Sequence, residues 1–349
     1  MQTADLAPGY RISRVIRGNW QLAGGHGAVD REAAVADLFA FADAGITTFD
    51  CADIYTGVEE IIGLFRERTL AERGAQAADA IRVHTKFVPD LDALGTITRV
   101  DVEAAIDTSL KRLRTERLDL VQFHWWDYAV PRYVEVAGWL DELRRAGKIA
   151  HVGGTNFDTP RAAELRAAGL PLFSMQVQYS LLDRRPERKL LAEAASSGMA
   201  ILCYGTVAGG FLSDKWLGVP EPREPLENRS LTKYKLIIDE VGGWELFQAL
   251  LSALRGIADR RGTDIATVAS RAVLERPGVS AVIVGARNRA HLPANLAISD
   301  MLFTAEDAAA IDAVLADANP VPGDVYELER DRTGRHGSIM KYGLNKTAA

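Results

Sequence analysis

The 349-residue sequence has few cysteines, few histidines and no block of like charge. Its two cysteines, Cys51 and Cys203, lie inside apolar runs, which argues against a disulfide framework and predicts buried thiols. The six histidines form no spacing such as H-E-x-x-H, so no metal site is expected. The net charge of -6, without a run of five like charges, gives no reason to expect nucleic acid or an anionic membrane as a partner.

Long apolar runs are also missing from the sequence. The longest uncharged, apolar-rich stretch, 200–212, falls short of the roughly 18 residues that a membrane helix needs. The N-terminus lacks a basic start followed by an apolar segment, so no signal peptide is expected. With 48% hydrophobic and 25% charged residues, the chain has a globular composition, and we expect a cytoplasmic enzyme or binding protein.

Short β-branched or apolar runs alternate along the chain with segments of helical period. The runs predict eight buried strands, at 14–20, 46–51, 81–88, 118–125, 150–156, 173–179, 200–205 and 279–286. The segments between them predict helices near 30–44, 57–73, 101–113, 131–147, 158–168, 186–198, 243–261, 264–276 and 304–317. This alternation favours one (β/α)₈ TIM barrel over residues 1–318. A doubly wound sheet is the alternative, but the first strand lacks the G-x-G-x-x-G spacing that such a sheet uses for dinucleotides.

Two stretches stand outside this alternation. Residues 207–240 form a long connection between the seventh and eighth strands, which makes them a candidate lid. Residues 319–349 form a polar C-terminal extension with scattered apolar residues, which either folds over the barrel mouth or frays.

Polar residues end three consecutive predicted strands: Asp50, Lys86 and His124. Tyr55 follows in the loop after the first of them. The C-terminal ends of barrel strands converge on one mouth, so we expect these side chains to meet. A lysine paired with an aspartate lowers the pKa of a neighbouring phenol from about 10, which lets the tyrosine exchange a proton with a carbonyl or alcohol oxygen. His124 is expected to orient or polarise that oxygen.

Seven ordered motifs over roughly residues 10–300 resemble the aldo-keto reductases. FDCADIYTGVEE, VHTKF and QFHWW resemble the family's Asp-Tyr, Lys and His motifs, and GGTNF, SMQVQY, CYGTVAGGFLSDKW and VGARNRAHLPANL resemble its cofactor segments. The resemblance implies a catalytic tetrad of Asp50, Tyr55, Lys86 and His124. It also implies reversible reduction of a small-molecule aldehyde or ketone by NADPH, with Tyr55 as the general acid.

The resemblance also implies a set of cofactor-binding residues. They are Thr155, Asn156 and Gln176 at the nicotinamide carboxamide, Tyr204 on the ring, Gly205, Val207 and Gly210 along the pyrophosphate, and Gly285, Arg287, His291 and Asn295 at the adenosine end. Gly285 stands where many members place a lysine on the 2′-phosphate, so NADH is also possible. Arg287 favours NADPH, because a planar guanidinium suits a phosphate dianion.

Trp20, Trp125 and Trp126 follow strand ends and predict an aromatic substrate pocket. Such a pocket suits a bulky or cyclic keto compound, such as a keto-sugar or a fungal-toxin ketone. Two alternatives stay open: a Schiff-base aldolase acting through Lys86, and a cofactor-binding, redox-sensing partner subunit with little turnover. The aldolase needs a neutral lysine, which the neighbouring Asp50 opposes. The sequence makes no prediction about oligomeric state.

Overall fold

The computed structural model describes residues 1–23, 29–223 and 225–345. Its strands are β1 (Thr3–Ala7), β2 (Tyr10–Ser13), β3 (Val15–Gly18), β4 (Thr48–Asp50), β5 (Arg82–Phe87), β6 (Leu118–Phe123), β7 (Ile149–Thr155), β8 (Ser174–Gln178), β9 (Ala200–Tyr204) and β10 (Val279–Gly285). Strands β3 to β10 are parallel and close into a barrel in chain order, with β10 paired to both β9 and β3. The predicted (β/α)₈ barrel is therefore confirmed.

Helices surround the barrel. They are α1 (Arg31–Asp43), α2 (Val58–Arg73), α3 (Ala75–Ala80), α4 (Arg99–Arg112), α5 (Tyr133–Arg145), α6 (Thr159–Ala167), α7 (Leu190–Ser197), α8 (Arg229–Val241), α9 (Gly243–Arg261), α10 (Ile265–Leu274), α11 (Leu292–Asp300), α12 (Ala305–Leu315) and α13 (Glu327–Arg330). The predicted start of α1 is confirmed, since the Asp30 carboxylate accepts the amides of Glu32 and Ala33. Within the described ranges, the search for a helix long and apolar enough to cross a membrane found none.

A hairpin of β1 and β2 covers the N-terminal end of the barrel, which the sequence analysis did not predict. Tyr10 packs edge-on against His151 and Phe173, at ring-centroid distances of 4.6 and 5.3 Å. Inside the barrel, apolar side chains such as Leu120 and Leu202 form a small core above this floor. The N-terminal end is thus closed, which leaves the C-terminal ends of the strands as the mouth.

The connection from β9 to β10 contains a helix that the sequence analysis missed. Its candidate lid, 207–240, runs into α8, whose Tyr234, Ile237 and Ile238 are buried in a core shared with α9 and α10. The apolar residues of α8 recur at helical spacing, but charged residues stand between them and hid the pattern. The second half of the predicted lid is therefore a packed helix. Both cysteines are free and buried, as predicted.

A buried ion-pair cluster joins the C-terminal extension to the barrel. Arg185, which follows β8, donates to both carboxylate oxygens of Asp183 at 2.9 and 2.7 Å. Its other N–H groups donate to both oxygens of Glu329 in α13, each at 2.9 Å. All three side chains are at most 1% exposed. This guanidinium holds the extension against the loop after β8.

We expect Glu329→Gln to lower the free energy of unfolding by about 3 kcal/mol, because it removes one carboxylate from a buried cation. Burial by itself would raise the pKa of Glu329, but Arg185 holds it at about 2, below its ordinary 4.5. This stabilisation is therefore complete above pH 4.5 and is lost as pH falls through 2. Urea unfolding at several pH values measures both effects.

The matched control is Asp5→Asn, which removes a carboxylate from the exposed pair with Arg11 and should change stability little. An equal effect of the two substitutions would contradict the role assigned to the buried cluster.

Candidate active site

Asp50 and Lys86 form a buried ion pair at the barrel mouth. Lys86 Nζ donates to Asp50 Oδ1 at 2.6 Å and to the carbonyl oxygen of Cys51 at 2.8 Å. Asp50 Oδ2 accepts from Gln176 Nε2 at 2.6 Å and from Gln122 Nε2 at 3.3 Å. Side chains from β4, β5, β6 and β8 therefore converge on one carboxylate, as the barrel geometry predicts.

The pair keeps Lys86 charged. Burial by itself would lower the pKa of Lys86, but the neighbouring Asp50 and Tyr55 raise it above the ordinary value. A Schiff-base nucleophile must be a neutral amine. The ion pair therefore argues against the aldolase alternative. It suits a lysine whose positive charge acts on the neighbouring Tyr55.

Tyr55 lies beside this pair. The ammonium nitrogen of Lys86 is 5.2 Å from the centroid of its ring, and Trp20 packs edge-on against the ring at 4.9 Å. Burial raises the pKa of Tyr55, and the charge of Lys86 opposes that shift without cancelling it. The charge of Lys86 acts in the expected direction, but the net shift is upward, because desolvation of the phenolate outweighs the attraction of the ammonium.

His124 is neutral, and its hydrogen-bond partner shows which ring nitrogen carries the hydrogen. The Nδ1 atom lies 3.1 Å from the carbonyl oxygen of Thr155, so Nδ1 carries the hydrogen and donates it. Burial, assisted by Arg330, lowers the pKa of His124 to about 3. Its Nε2 atom is buried with no hydrogen-bond partner among the described residues. In this tautomer Nε2 is an acceptor, so it does not supply the hydrogen bond that polarising a carbonyl oxygen requires.

Asn156, Gln176 and Tyr204 lie together as the resemblance implied. Tyr204 Oη donates to Asn156 Oδ1 at 2.9 Å, and Gln176 donates through its amide nitrogen to Asp50. Asn156 Nδ2 and Gln176 Oε1 are left without a partner in the described part of the chain. One free donor and one free acceptor match the two polar ends of a carboxamide, so these residues fit a nicotinamide. Thr155 is buried, and its hydroxyl donates to the Gln176 carbonyl oxygen at 3.2 Å.

The loop after β9 is shaped by glycines. Gly205 has φ +77°, and a Cβ there would lie 2.3 Å from the hydroxyl of Tyr234 in α8. Gly210 has φ +102° with open space around its missing side chain, and Val207 is half-buried. The glycines thus bring α8 against the loop implied for the pyrophosphate.

The residues implied for the adenosine end follow β10. Arg287 and His291 are exposed, whereas Asn295 is buried and its Nδ2 atom has no partner within the described ranges. Gln21, after β3, fills the space beside Gly285, where a Cβ would meet its amide nitrogen at 2.2 Å. The side chain of Gln21 therefore occupies the space into which a side chain at position 285 would extend.

The three tryptophans differ in position. Trp20 is 39% exposed and lies against Tyr55. Trp126 is nearly buried, contacts His124 edge-on at 4.3 Å and donates to the Pro89 carbonyl oxygen. Trp125 is fully buried, and its Nε1 donates to backbone carbonyl oxygens of the following loop. Trp20 and Trp126 flank the tetrad, whereas Trp125 belongs to the core around the barrel.

Several mouth residues were missed by the sequence analysis. Gln122 lies on β6 two residues before His124, which directly follows the strand, and this period of two was a usable signal. Tyr326 and Arg330 come from the extension, where no periodicity marks them. The Tyr326 ring lies 5.6 Å from that of His124, and Arg330 donates to the carbonyl oxygens of Trp125 and Asn156. The extension therefore covers part of the mouth.

Comparison with known proteins identifies the class. The sequence profile of the Aldo/keto reductase family matches residues 14–316, and the chain belongs to this family. It is 29% identical over 319 residues to the aldo-keto reductase YhdN of Bacillus subtilis, covering 90% of this chain and 93% of that protein. It is 29% identical to the L-glyceraldehyde 3-phosphate reductase of Escherichia coli K12, covering 88% and 90%. The protein is therefore an oxidoreductase that acts on carbonyl or alcohol groups.

Among solved structures, the glycerol dehydrogenase of Gluconobacter oxydans superposes with a TM-score of 0.74 at 27% identity. The match covers 92% of this chain and 97% of that one. The family uses a nicotinamide dinucleotide, which agrees with the free amide groups at Asn156 and Gln176. The reductase and dehydrogenase names of these proteins favour an enzyme over a redox-sensing subunit.

We expect His124 to remain neutral, with its hydrogen on Nδ1, between about pH 5 and 8, although free histidine titrates in this range. Nitrogen-15 NMR of histidine-labelled protein measures both the charge and the tautomer, and His124→Gln assigns the signal. Titration of His124 near its ordinary pKa, or a hydrogen on Nε2, would overturn the assignment.

Proposed function

We propose that the enzyme catalyses NADPH-dependent reduction of an aldehyde or ketone to an alcohol, reversibly. The observation that carries this proposal is the buried Asp50–Lys86 pair beside Tyr55, next to a free donor and a free acceptor that fit a carboxamide. The two free cysteines, both buried, suit a reducing compartment such as the cytoplasm.

Different residues would hold the nicotinamide and the adenosine ends of the cofactor. A bound reduced nicotinamide supplies the hydride. Asn156, with a free donor, and Gln176, with a free acceptor, would hold the carboxamide. Tyr204, held by its bond to Asn156, offers its face to the ring. Arg287, exposed at the adenosine end, binds the 2′-phosphate that distinguishes NADPH from NADH.

Tyr55 donates the proton to the developing alkoxide in the reduction. Its raised pKa keeps it protonated at neutral pH, and the charge of Lys86 stabilises the phenolate that remains. Asp50 holds Lys86 in place, and the two glutamine amides hold Asp50. In the oxidation direction the same Tyr55 oxygen accepts the proton of the alcohol.

His124 takes a different role from the one expected. Because Nε2 is an acceptor, it binds a hydroxyl group, either that of the product alcohol or one adjacent to the substrate carbonyl. A hydroxylated substrate such as a keto-sugar meets this requirement. Trp20, Trp126 and Tyr326 add aromatic walls that suit a bulky or cyclic ketone.

Replacing Tyr55 by phenylalanine should lower kcat by about 10² to 10⁴, because the phenolic proton donor beside Lys86 is removed. NADPH affinity should be retained, since the ring remains. Steady-state rates with the best compound of a carbonyl panel, and NADPH titration by fluorescence quenching, measure the two quantities.

Tyr10→Phe serves as the control for this substitution. It removes a buried hydroxyl at the closed end of the barrel and should leave kcat near the wild-type value. A near-native kcat in Tyr55→Phe would exclude Tyr55 as the acid.

Arg287→Ala should weaken NADPH binding by about tenfold and leave NADH binding nearly unchanged, because only NADPH carries the phosphate. The matched control is Arg289→Ala. This neighbouring guanidinium already binds Asp37 at 2.8 Å, so its loss should leave the preference for NADPH over NADH unchanged. The dissociation constants of NADPH and NADH are measured for the wild type and both variants. Equal weakening of NADPH and NADH binding by Arg287→Ala would refute a 2′-phosphate contact by Arg287.

A further inference from the structure

Two cations at the barrel mouth, Lys233 and Arg330, have no carboxylate partner among the described residues. Two arginines of the adjoining segments are paired: Arg184 binds Glu187, and Arg332 binds Asp127. Lys233 comes from α8 and Arg330 from α13, so the long insert and the extension each contribute one charge.

Lys233 is half-buried among aromatic rings. Its ammonium nitrogen lies 5.5 Å from the ring centroid of Tyr204, 5.4 Å from that of Tyr234 and 5.6 Å from that of Tyr326. Aromatic faces attract a cation, but they do not satisfy the three N–H donors of an ammonium group. Burial lowers the pKa of Lys233, and the charge of Glu329 opposes this shift without cancelling it. The surroundings therefore do not fully replace the water that the ammonium loses.

The carboxylates of the ion-pair cluster are already engaged. Both oxygens of Glu329 and both of Asp183 accept from Arg185, and Gln178 donates to Asp183 as well. One arginine and two carboxylates carry one net negative charge, which Lys233 balances at longer range. Arg330 is a second cation that no carboxylate of the described residues binds directly, although Asp158 lies close enough to interact with it, so Lys233 and Arg330 together make this part of the mouth positive.

Arg330 strengthens this positive field near the tetrad. One of its terminal nitrogens donates only to backbone carbonyl oxygens, of Trp125 at 3.0 Å and Asn156 at 2.8 Å. Its Nε atom is buried without a partner in the described part of the chain. Its guanidinium stacks on Tyr128 at 4.2 Å and on Tyr326 at 5.2 Å.

Lys233 contacts two aromatic residues that line the mouth, Tyr326 and Tyr204. Tyr326 lies between Lys233 and His124, at 5.6 Å from the ammonium and 5.6 Å from the imidazole ring. Tyr204, the proposed nicotinamide platform, is the other neighbour of Lys233. A substrate with its carbonyl at Tyr55 and a neighbouring hydroxyl at His124 would meet the ring of Tyr326, which Lys233 also contacts.

We propose that Lys233, within the positive field of Arg330, binds an anionic group of the carbonyl substrate, a carboxylate or a phosphate a few bonds from the carbonyl carbon. The inference rests on the proposed carbonyl reduction and adds a substrate class to it. The unpaired ammonium donates to the anion, while the aromatic wall packs against the carbon skeleton.

The test compares two aldehydes of similar shape, 4-carboxybenzaldehyde and 4-methylbenzaldehyde, and the sugar-sized pair glyceraldehyde 3-phosphate and glyceraldehyde. The wild-type enzyme should show a lower KM for the anionic member of at least one pair, and added salt should raise that KM. Lys233→Met should raise it by about tenfold to a hundredfold and leave the KM of the uncharged member unchanged.

Two controls separate this effect from others. Lys148→Met makes the same change in a lysine paired with Glu103 and Asp107 before β7, and should have no effect on either KM. Terephthalate, which has no aldehyde to reduce, should bind the wild-type enzyme and bind Lys233→Met more weakly, measured by calorimetry.

The outcomes distinguish the inference from the proposed function. If uncharged aldehydes are reduced and the anionic members show no advantage, the inference fails and the reductase assignment stands. If Lys233→Met weakens NADPH binding instead, the anion belongs to the cofactor and the inference also fails. If no aldehyde is reduced, the proposed function fails, and terephthalate binding still decides whether Lys233 holds an anion.

Discussion

The site depends on the buried ion pair between Asp50 and Lys86. A charge removed from water requires compensation, and here Asp50 accepts from three side chains that come from β5, β6 and β8. Only a closed barrel in this register brings those strand ends to one carboxylate. The same pair fixes the charge of Lys86 beside Tyr55. The arrangement of the strand ends and the proposed proton transfer therefore both depend on this ion pair.

The strand ends were predictable because buried parallel strands leave continuous apolar runs, and the polar residue that ends each run is easily seen. Asp50, Lys86 and His124 were found in this way, and the family motifs added Tyr55 and the cofactor residues. Gln122 was missed although it lies on β6 only two residues before His124. The hairpin was missed because β1 is short and of mixed polarity, although Pro8–Gly9 marks its turn.

Other features depend on three-dimensional surroundings that no local pattern reports. The direction of the Tyr55 pKa follows from the balance of burial against Lys86, and the tautomer of His124 follows from the carbonyl oxygen of Thr155. Arg330 and Tyr326 are held at the mouth by contacts far away in sequence, such as those of Glu329 with Arg185 and of Asp324 with Thr159. Such long-range ion pairs leave no periodic signal in a polar extension.

The mouth is therefore built in two layers. The strand ends and the loops after them hold the residues proposed for proton transfer and for the carboxamide contacts, and the insert and the extension add the aromatic and charged wall beside them. Specificity in barrel enzymes resides in such peripheral segments, whereas the chemistry stays with the strands. Here the two segments are joined to each other through Lys233, Tyr326 and the cluster of Arg185.

The central claim is direct hydride transfer from the cofactor to a carbonyl carbon, and isotope transfer tests it most directly. The enzyme is supplied with NADPH that carries deuterium at both C4 positions, and the alcohol formed from an aldehyde is analysed by mass spectrometry and NMR. The account predicts one deuterium on the former carbonyl carbon of every product molecule. An alcohol without deuterium at that carbon would contradict it.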